Sequence, residues 1–454
     1  MTETTKTDLL VVGGGMAGMA AAAQAASEGA HVIVAEIADH LGGTALLSTG
    51  NVWTVRDEQA FRRADPEGDA VLWAVVRGNL EESFKWLAKL RVAVRERHRS
   101  SSSSTYDPPP IGRNIDIETF LARARRVVEA AGGWILHGTT PTELTVSGGA
   151  VTGGRLRNVA SGDEFEVQAK AVVLASGGFQ ASSALRAEYL GDRVGDSVAV
   201  RSNPHSQGTG LKLALRAGAA TSRRMDTFYG VILPAVRGVL TEADYRGLVI
   251  HSVVYGVVLG LDGKRLTDES AGAVPLANAV ARAGRAFLVL GPDALRESAD
   301  RVGIDLTEML RTAAERGART ATIDSLDGAV RKLARWGCDG TTALRTLTEY
   351  DELVTNGDSP RPARSRHQFP VGPGQVSLVE VRAAVTSTFG GIRTNGYGQV
   401  LRTNGSLMPG LFAAGIDQGG YNVAGYAGGL SRALVFGRLA AKAALHARQP
   451  LVNH

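Results

Sequence analysis

The chain has 454 residues, more than one hydrophobic core usually serves, so two domains are the first expectation. At 44% hydrophobic and 21% charged residues it has the composition of a globular protein, and a formal charge of +5 without any Lys- or Arg-rich run argues against a nucleic-acid partner. The single cysteine, Cys338, excludes a disulfide framework and a thiolate metal cluster; MTETTKTD lacks signal-peptide character and the apolar runs are too short for a membrane span, so a cytoplasmic location without metal is expected.

Leu9 to Val12 is a short apolar run suited to a buried parallel strand. Gly13, Gly15 and Gly18 follow in G-x-G-x-x-G spacing and lead through Met16 and Ala17 into an Ala-rich helix. The first glycine permits a tight turn, the second admits a pyrophosphate to the backbone, and the third lets the helix pack on the strand. The helix N-terminus adds free N–H groups and a partial positive charge. After Gly29, HVIVAE reads as a second strand ending at Glu36, about twenty residues past the glycines, where an acid accepts hydrogen bonds from a ribose diol. Strand, glycines, helix, strand and acid in that order predict a dinucleotide-binding unit.

Ile37 opens IADHLGGTALLSTGN, where Gly42, Gly43, Thr44, Ser48, Thr49 and Gly50 form a second small-residue loop. A flavin needs such a loop for the backbone to run beside its isoalloxazine ring. Here the chain resembles the succinate dehydrogenase and fumarate reductase flavoprotein family, whose members bind FAD, and the resemblance extends over nearly the whole chain. It implies an α/β fold: a Rossmann-type FAD-binding domain split in sequence, with an inserted α+β cap. Gly43 falls where part of that family carries the histidine that bonds to flavin, although His40 is near, so non-covalent FAD is expected.

Residues 58–99 read as helical and mostly amphipathic, and RHRSSSSSTYDPPPIGRN as a surface loop. A helix is predicted over 116–131 with Asp116 near its start, followed by short strands with glycine turns in WILHGTTPTELTVSGGAVTGGRLRN. Val172 to Ala175 reads as a buried strand leaving through Ser176, Gly177 and Gly178, which the resemblance places beneath the adenosine half of FAD. SQGTGLKLALRAGA resembles the family's Gly-rich turn into a helix. From about Met225 to Pro373 the glycine grammar stops, so the cap is expected at 225–373, with the FAD domain at 1–224 and 374–454. In the last piece, LFAAG is a strand with its exit at Gly415, reaching Asp417, and a helix opens on Gly428, Gly429 and Leu430. The resemblance points this helix's N-terminus at the flavin's pyrimidine edge.

The resemblance implies hydride exchange at FAD N5 while a side chain handles the partner proton. In fumarate reductases an arginine shortly after an NE pair is the acid, and a histidine and a second arginine clamp the dicarboxylate. Here Asp268 and Glu269 stand at the pair, but Ala273 holds the acid's place, Ser387 the histidine's and Tyr426 the second arginine's. Tyr426-Ala427-Gly428 instead resembles 3-ketosteroid Δ1-dehydrogenases, in which a tyrosine and a backbone N–H polarise a ketone oxygen. A phenol and a helix-start amide suit a ketone and its enolate, whereas a carboxylate prefers an arginine. That branch's cap tyrosine also falls at Ala273, which makes Tyr229 and Tyr255 candidate substitutes and Tyr106 a candidate to close over the site.

The expected activity is therefore oxidation or reduction of a C–C bond beside a ketone. Tyr426, Tyr229 and Tyr106 are the catalytic candidates, and Ser387, Thr388 and Gly425 the candidate substrate contacts. The expected partners are a cyclic ketone or enone and an electron partner that the sequence does not identify. Tyr421 competes with Tyr426; His205 and His251 read as surface or structural, and Arg265 with Glu269 as a pair across a turn. Two alternatives stand beside this reading. One is a dehydrogenase of a small di- or tricarboxylic acid served by Arg382 and Arg393; the other is a flavin-binding protein without turnover, favoured by the missing cap acid.

Overall fold

A computed structural model describes residues 5–96, 108–238, 240–241, 244–302 and 306–446. The chain divides into two compact units: Met1–Leu185, Ser202–Thr227 and Ser387–His454 form the first, Arg186–Arg201 and Phe228–Thr386 the second. The boundaries drawn from glycine content, 224/225 and 373/374, stand beside observed edges at 227/228 and 386/387. The excursion Arg186–Arg201 into the second unit carries no compositional mark.

The first unit is built on the strand Thr5–Val12, whose Leu9, Leu10 and Val11 are fully buried. It pairs in parallel with Val32–Ala35 on one side and Glu164–Leu174 on the other. Trp134–Leu136 extends the parallel sheet beyond the first, and Leu407–Ala413 beyond the second. The chain thus leaves the central strand in one direction and returns in the other, which opens a crevice at its C-terminal end, where the glycine turn sits. Gln399–Leu401 and the hairpin Thr139–Ser147/Ala150–Asn158 add antiparallel pairing at the margin.

Met16–Ser27 is helical and buried along nearly its whole length, as its alanines predict. The C-terminal helix Gly429–His446 crosses it closely enough that a Cβ at Gly437 would collide with the Ala17 carbonyl. The helix predicted near 116 spans Ile117–Ala130, with the Asp116 carboxylate accepting from Thr119 N–H at 2.6 Å. The single helical stretch expected over 58–99 is two helices, Glu58–Ala64 and Ala70–Lys89, capped by Asp57 and Asp69, followed by the strand Val94–Glu96. Pro66 and Gly68 break the helical pattern between the caps. That strand joins Asn51–Thr54 and Ile111–Ile115 in a small antiparallel sheet.

The second unit is α+β. Val376–Thr388 pairs antiparallel with Ala286–Leu290 and with Thr320–Ile323, and parallel with Ala199–Val200; Phe228–Pro234 also joins it. Helices Leu326–Arg335 and Gly340–Asn356 cover a core of Phe287, Val289, Leu333, Leu347 and Leu378. Among the described residues no helix is long and apolar enough to cross a membrane.

Candidate active site

At the first glycine turn, Gly13 has φ +100° and donates its N–H to Ala35 O at 2.8 Å, while a Cβ at Gly18 would strike the Gly13 carbonyl oxygen. Gly15 differs: a Cβ there would meet only Gly42 O, at an ordinary 3.6 Å. The helix that starts at Met16 has no side-chain cap and no acid in its first turn, so its leading N–H groups and positive dipole end are left for an anion. Glu36 is buried and accepts from Gly14 N–H at 2.6 Å and Ala38 N–H at 2.8 Å, one bond per oxygen. Each oxygen keeps acceptor capacity for a ribose hydroxyl. An open Gly15, an uncapped helix start and a spare buried carboxylate fit a dinucleotide.

The second loop is held by its own residues. Gly42 N–H bonds Gly14 O at 2.9 Å, Ser48 Oγ donates to Ala45 O at 2.6 Å, and Asn114 Nδ2 donates to Thr49 O at 2.8 Å. At Gly50, with φ +73°, a Cβ would strike Ile115 O. Ile37, at its start, and Gly43, near its middle, stay half-buried. His40 is exposed beside Asp39.

Thr44 opens a chain of polar contacts that sequence reading missed. Its Oγ1 lies 3.1 Å from Ser202 Oγ, which receives Gln180 Nε2 at 2.8 Å. A Cβ on Gly178 would meet both Gln180 Oε1 and Thr388 Oγ1, so the chain ends beside Thr388. Thr388 is fully buried and its hydroxyl has no hydrogen-bond partner among the described residues. Ser387, next to it, is buried as well.

Asp417 gathers three glycine-rich segments. Its Oδ2 accepts from Ser176 N–H and from Ser176 Oγ at 2.9 Å, and Ser176 Oγ in turn accepts from Gly210 N–H at 2.9 Å. Its backbone carbonyl receives Ile392 N–H at 2.7 Å. Oδ1 is buried without a partner among the described residues, as is Gln418 Oε1. Burial pushes the carboxyl up to about 7 against the Ser176 hydrogen bonds that favour the charge. Unfolded, the same group titrates near 3.8, so between 3.8 and about 7 only the folded chain binds this proton. Its contribution to stability is full below 3.8, is lost progressively as pH rises across that window, and is gone above about 7. In FAD-free protein, Asp417→Asn is expected to gain about 2.5 kcal/mol relative to wild type between pH 5 and pH 8. Parallel melting profiles for the two proteins would refute this.

The C-terminal helix starts at a second collection point. Tyr426 is half-buried, its ring edge-on to Trp53 at 5.7 Å, and its hydroxyl oxygen accepts Gly429 N–H at 2.8 Å. A phenol whose oxygen accepts in this way keeps a proton of its own to donate. Gly428, with φ +97°, packs on Trp53 O, Gly425 packs on the end of helix Glu58–Ala64 at Ala64 O, and Leu430 sits partly buried against the core. Tyr421, the rival, is fully buried, and its hydroxyl lies 3.3 Å from both Thr54 Oγ1 and Ala427 O. Asp65 fixes the segment before Tyr426 by accepting from Asn422 Nδ2 and from the N–H groups of Val423 and Ala424. No local pattern marks Asp65 for this task.

In the second unit, Tyr229 lies on Phe228–Pro234, half-buried; burial raises its phenol while the Arg201 charge lowers it. Burial, with the same Arg201 charge, holds His251 below the ordinary imidazole range. Tyr255 is buried with its ring edge-on to His367 at 4.9 Å. Arg265 and Glu269 do pair, fully buried, with Arg364 as a third member. Ala273 opens the helix Ala273–Ala283. Tyr106 lies outside the described residues. Arg393 is exposed, as is His205, whereas Arg382 is half-buried with Nε unpartnered among the described residues.

Residues 8–78 and 76–431 match the family described as FAD binding domain. The chain is 26% identical over 476 residues to a fumarate reductase (cytochrome) of Shewanella frigidimarina, covering 96% of this chain and 76% of the relative. It is 22% identical over 574 residues to a 3-oxosteroid 1-dehydrogenase of Mycolicibacterium smegmatis, covering 96% of each. Among solved structures, a 3-ketosteroid-Δ4-(5α)-dehydrogenase from Rhodococcus jostii superposes with a TM-score of 0.75 at 19% identity, over 99% of this chain and 98% of that one. At that identity the likeness concerns the fold.

Proposed function

Because the chain belongs to the FAD binding domain family, we propose that this FAD-dependent oxidoreductase acts on a CH–CH bond beside a ketone, on a cyclic ketone or enone. When bound, FAD supplies hydride exchange at N5. The observation that carries the reading is the Tyr426 hydroxyl seated on Gly429 N–H. Its oxygen is held by a helix-start amide, and a neutral phenol donor suits a carbonyl oxygen becoming an enolate. Thr388 Oγ1, buried and unpartnered among the described residues, is a second hydroxyl for substrate or flavin. Tyr229 is the candidate for the remaining proton, with its phenol raised by burial against the opposing Arg201 charge. Gly425 and Ser387 are the proposed substrate contacts.

The FAD is proposed to be non-covalent, since His40 is engaged with Asp39 and Gly43 offers no side chain; heat denaturation is expected to release all of it into solution. The location is proposed as cytoplasmic, with an electron partner yet to be identified. The relatives include proteins named for 3-oxosteroid and for 4-oxocyclohexanecarboxylate dehydrogenation, both ketone substrates. One observation favours a second reading, an organic-acid substrate: the buried Arg382 Nε has no partner among the described residues, and other relatives are named fumarate reductases.

Anaerobic bleaching of bound flavin separates the two readings. Steroidal and monocyclic ketones are expected to remove the oxidised band, or the matching enones to restore it in reduced protein, while di- and tricarboxylates do neither. Response to acids alone would move the assignment to Arg382. Tyr426→Phe is expected to lower kcat/KM for a reactive ketone by about 10²-fold, the usual loss for one oxyanion donor. FAD content should stay intact; an unchanged kcat/KM would remove Tyr426 from the chemistry.

A further inference from the structure

The C-terminal helix buries two arginines with opposite surroundings. Arg438 donates through Nε to Gln24 Oε1 and through Nη1 to Ser83 Oγ, both at 2.8 Å, and stacks 5.0 Å over Trp86. Arg432, on the first turn, is 2% exposed, and neither Nε nor Nη1 has a hydrogen-bond acceptor among the described residues. Its guanidinium lies 5.5 Å over the Tyr421 ring; burial works against its charge, and the phenols of Tyr421 and Tyr426 oppose that only in part.

A buried cation without a counter-charge loses its hydration and recovers little from an aromatic face. Such a group works against the folded state, and a Met would fill the same space without that cost. What surrounds Arg432 gives it a use. The helix start presents Gly429 N–H, the Tyr426 oxygen sits on that amide, and Arg432 stands three residues further along the same first turn. A cation and a helix N-terminus that carries the Tyr426 phenol thus meet where Arg432 Nε and Nη1 have no acceptor among the described residues.

We propose that Arg432 is a positioning residue that stabilises a delocalised oxyanion at this helix start: negative charge on the pyrimidine edge of reduced FAD, or on the oxygen of a substrate enolate. The inference rests on the ketone reading above and names the charge its site must hold. The cation is retained at the expense of stability, so function and stability respond to its removal in opposite directions.

Arg432→Met and Arg432→Lys test this in FAD-loaded protein with two probes that need no turnover. One is the redox equilibrium of bound FAD against a reference dye; the other is binding of 4-nitrophenol, whose phenolate imitates an enolate oxygen. Arg432→Met is expected to melt at or above the wild type. It should also shift the dye equilibrium at least tenfold toward oxidised FAD, about 30 mV for a two-electron couple, or weaken nitrophenolate at least tenfold. The first shift assigns the charge to FAD, the second to the substrate oxygen, and Arg432→Lys should stay within threefold of wild type in both. Stable protein with neither probe moved overturns the proposal, as does lower melting with neither moved, which would make Arg432 a packing residue. If Arg432→Met does not hold FAD, Arg432→Gln replaces it in the same measurements. Wild type that binds no nitrophenol removes the ketone reading and leaves the dye equilibrium to decide the role of Arg432.

Discussion

Glu269→Ala is expected to destabilise the second unit by about 3–5 kcal/mol, the usual cost of removing one partner from a buried ion pair. Glu269 is fully buried and receives Arg265 through Nε at 3.1 Å and Nη2 at 2.6 Å, with Val258 N–H at 3.0 Å. Arg364 Nη1 approaches the same carboxylate at 3.5 Å. Both guanidiniums lie over Tyr350, at 5.1 and 5.8 Å, and both also donate to backbone carbonyls: Arg265 to Pro362, Arg364 to Gly256 and Val254. The carboxylate is the only acid in this arrangement among the described residues, so alanine leaves two buried cations facing each other across an emptied space. Urea unfolding of the variant measures the loss. Replacing all three charged residues by Met and Leu should recover most of it, because an apolar core of like volume needs no counter-charge. A loss under about 1 kcal/mol for Glu269→Ala would mean that the pair is solvated in solution.

The sequence carried this pair only as Arg265 and Glu269 four residues apart; Arg364, about a hundred residues later, lies in a segment with no periodic signal. The contrast runs through the whole molecule. Gly13, Gly15, Gly18 and Glu36 are legible because their chemistry is local: one turn, one helix start and the next strand contain the whole cradle. Asp417 was reachable through its position after a short apolar strand with a glycine exit. Gln180, Ser202 and Asp65 were not, since each meets its partners only when distant segments meet. Arg432 did leave a trace, a lone charge in LSRALVFG where the neighbours are apolar. Read as helix, that stretch has no polar face to receive it. The helical region after residue 58 splits because Asp69 caps a second helix, while the hydrophobic pattern runs on across the break.

Gly15→Ala is expected to abolish FAD binding while leaving the fold intact, and Gly18→Ala to damage both. At Gly18 a Cβ would collide with the Gly13 carbonyl oxygen and approach its carbon at 3.0 Å. Both atoms are backbone of the turn, so the helix must lift off the strand. Ordinarily Gly to Ala inside a helix gains about 1 kcal/mol; here the collision outweighs that gain. Gly15 has an extended backbone, φ −78° and ψ −170°, that alanine adopts freely, and its nearest neighbour would be Gly42 O at 3.6 Å. The apo fold therefore accepts the methyl. A pyrophosphate approaching the leading N–H groups does not, because the methyl occupies the space between the two glycine loops, whose backbones run side by side at Gly15 and Gly42. Purified Gly15→Ala should be colourless, with FAD affinity lowered by about 10²-fold or more and a melting temperature equal to that of FAD-free wild type. Gly18→Ala should melt below that reference. A yellow Gly15→Ala protein with wild-type flavin content would show that the pyrophosphate enters elsewhere, and would take the assignment of the first glycine turn with it.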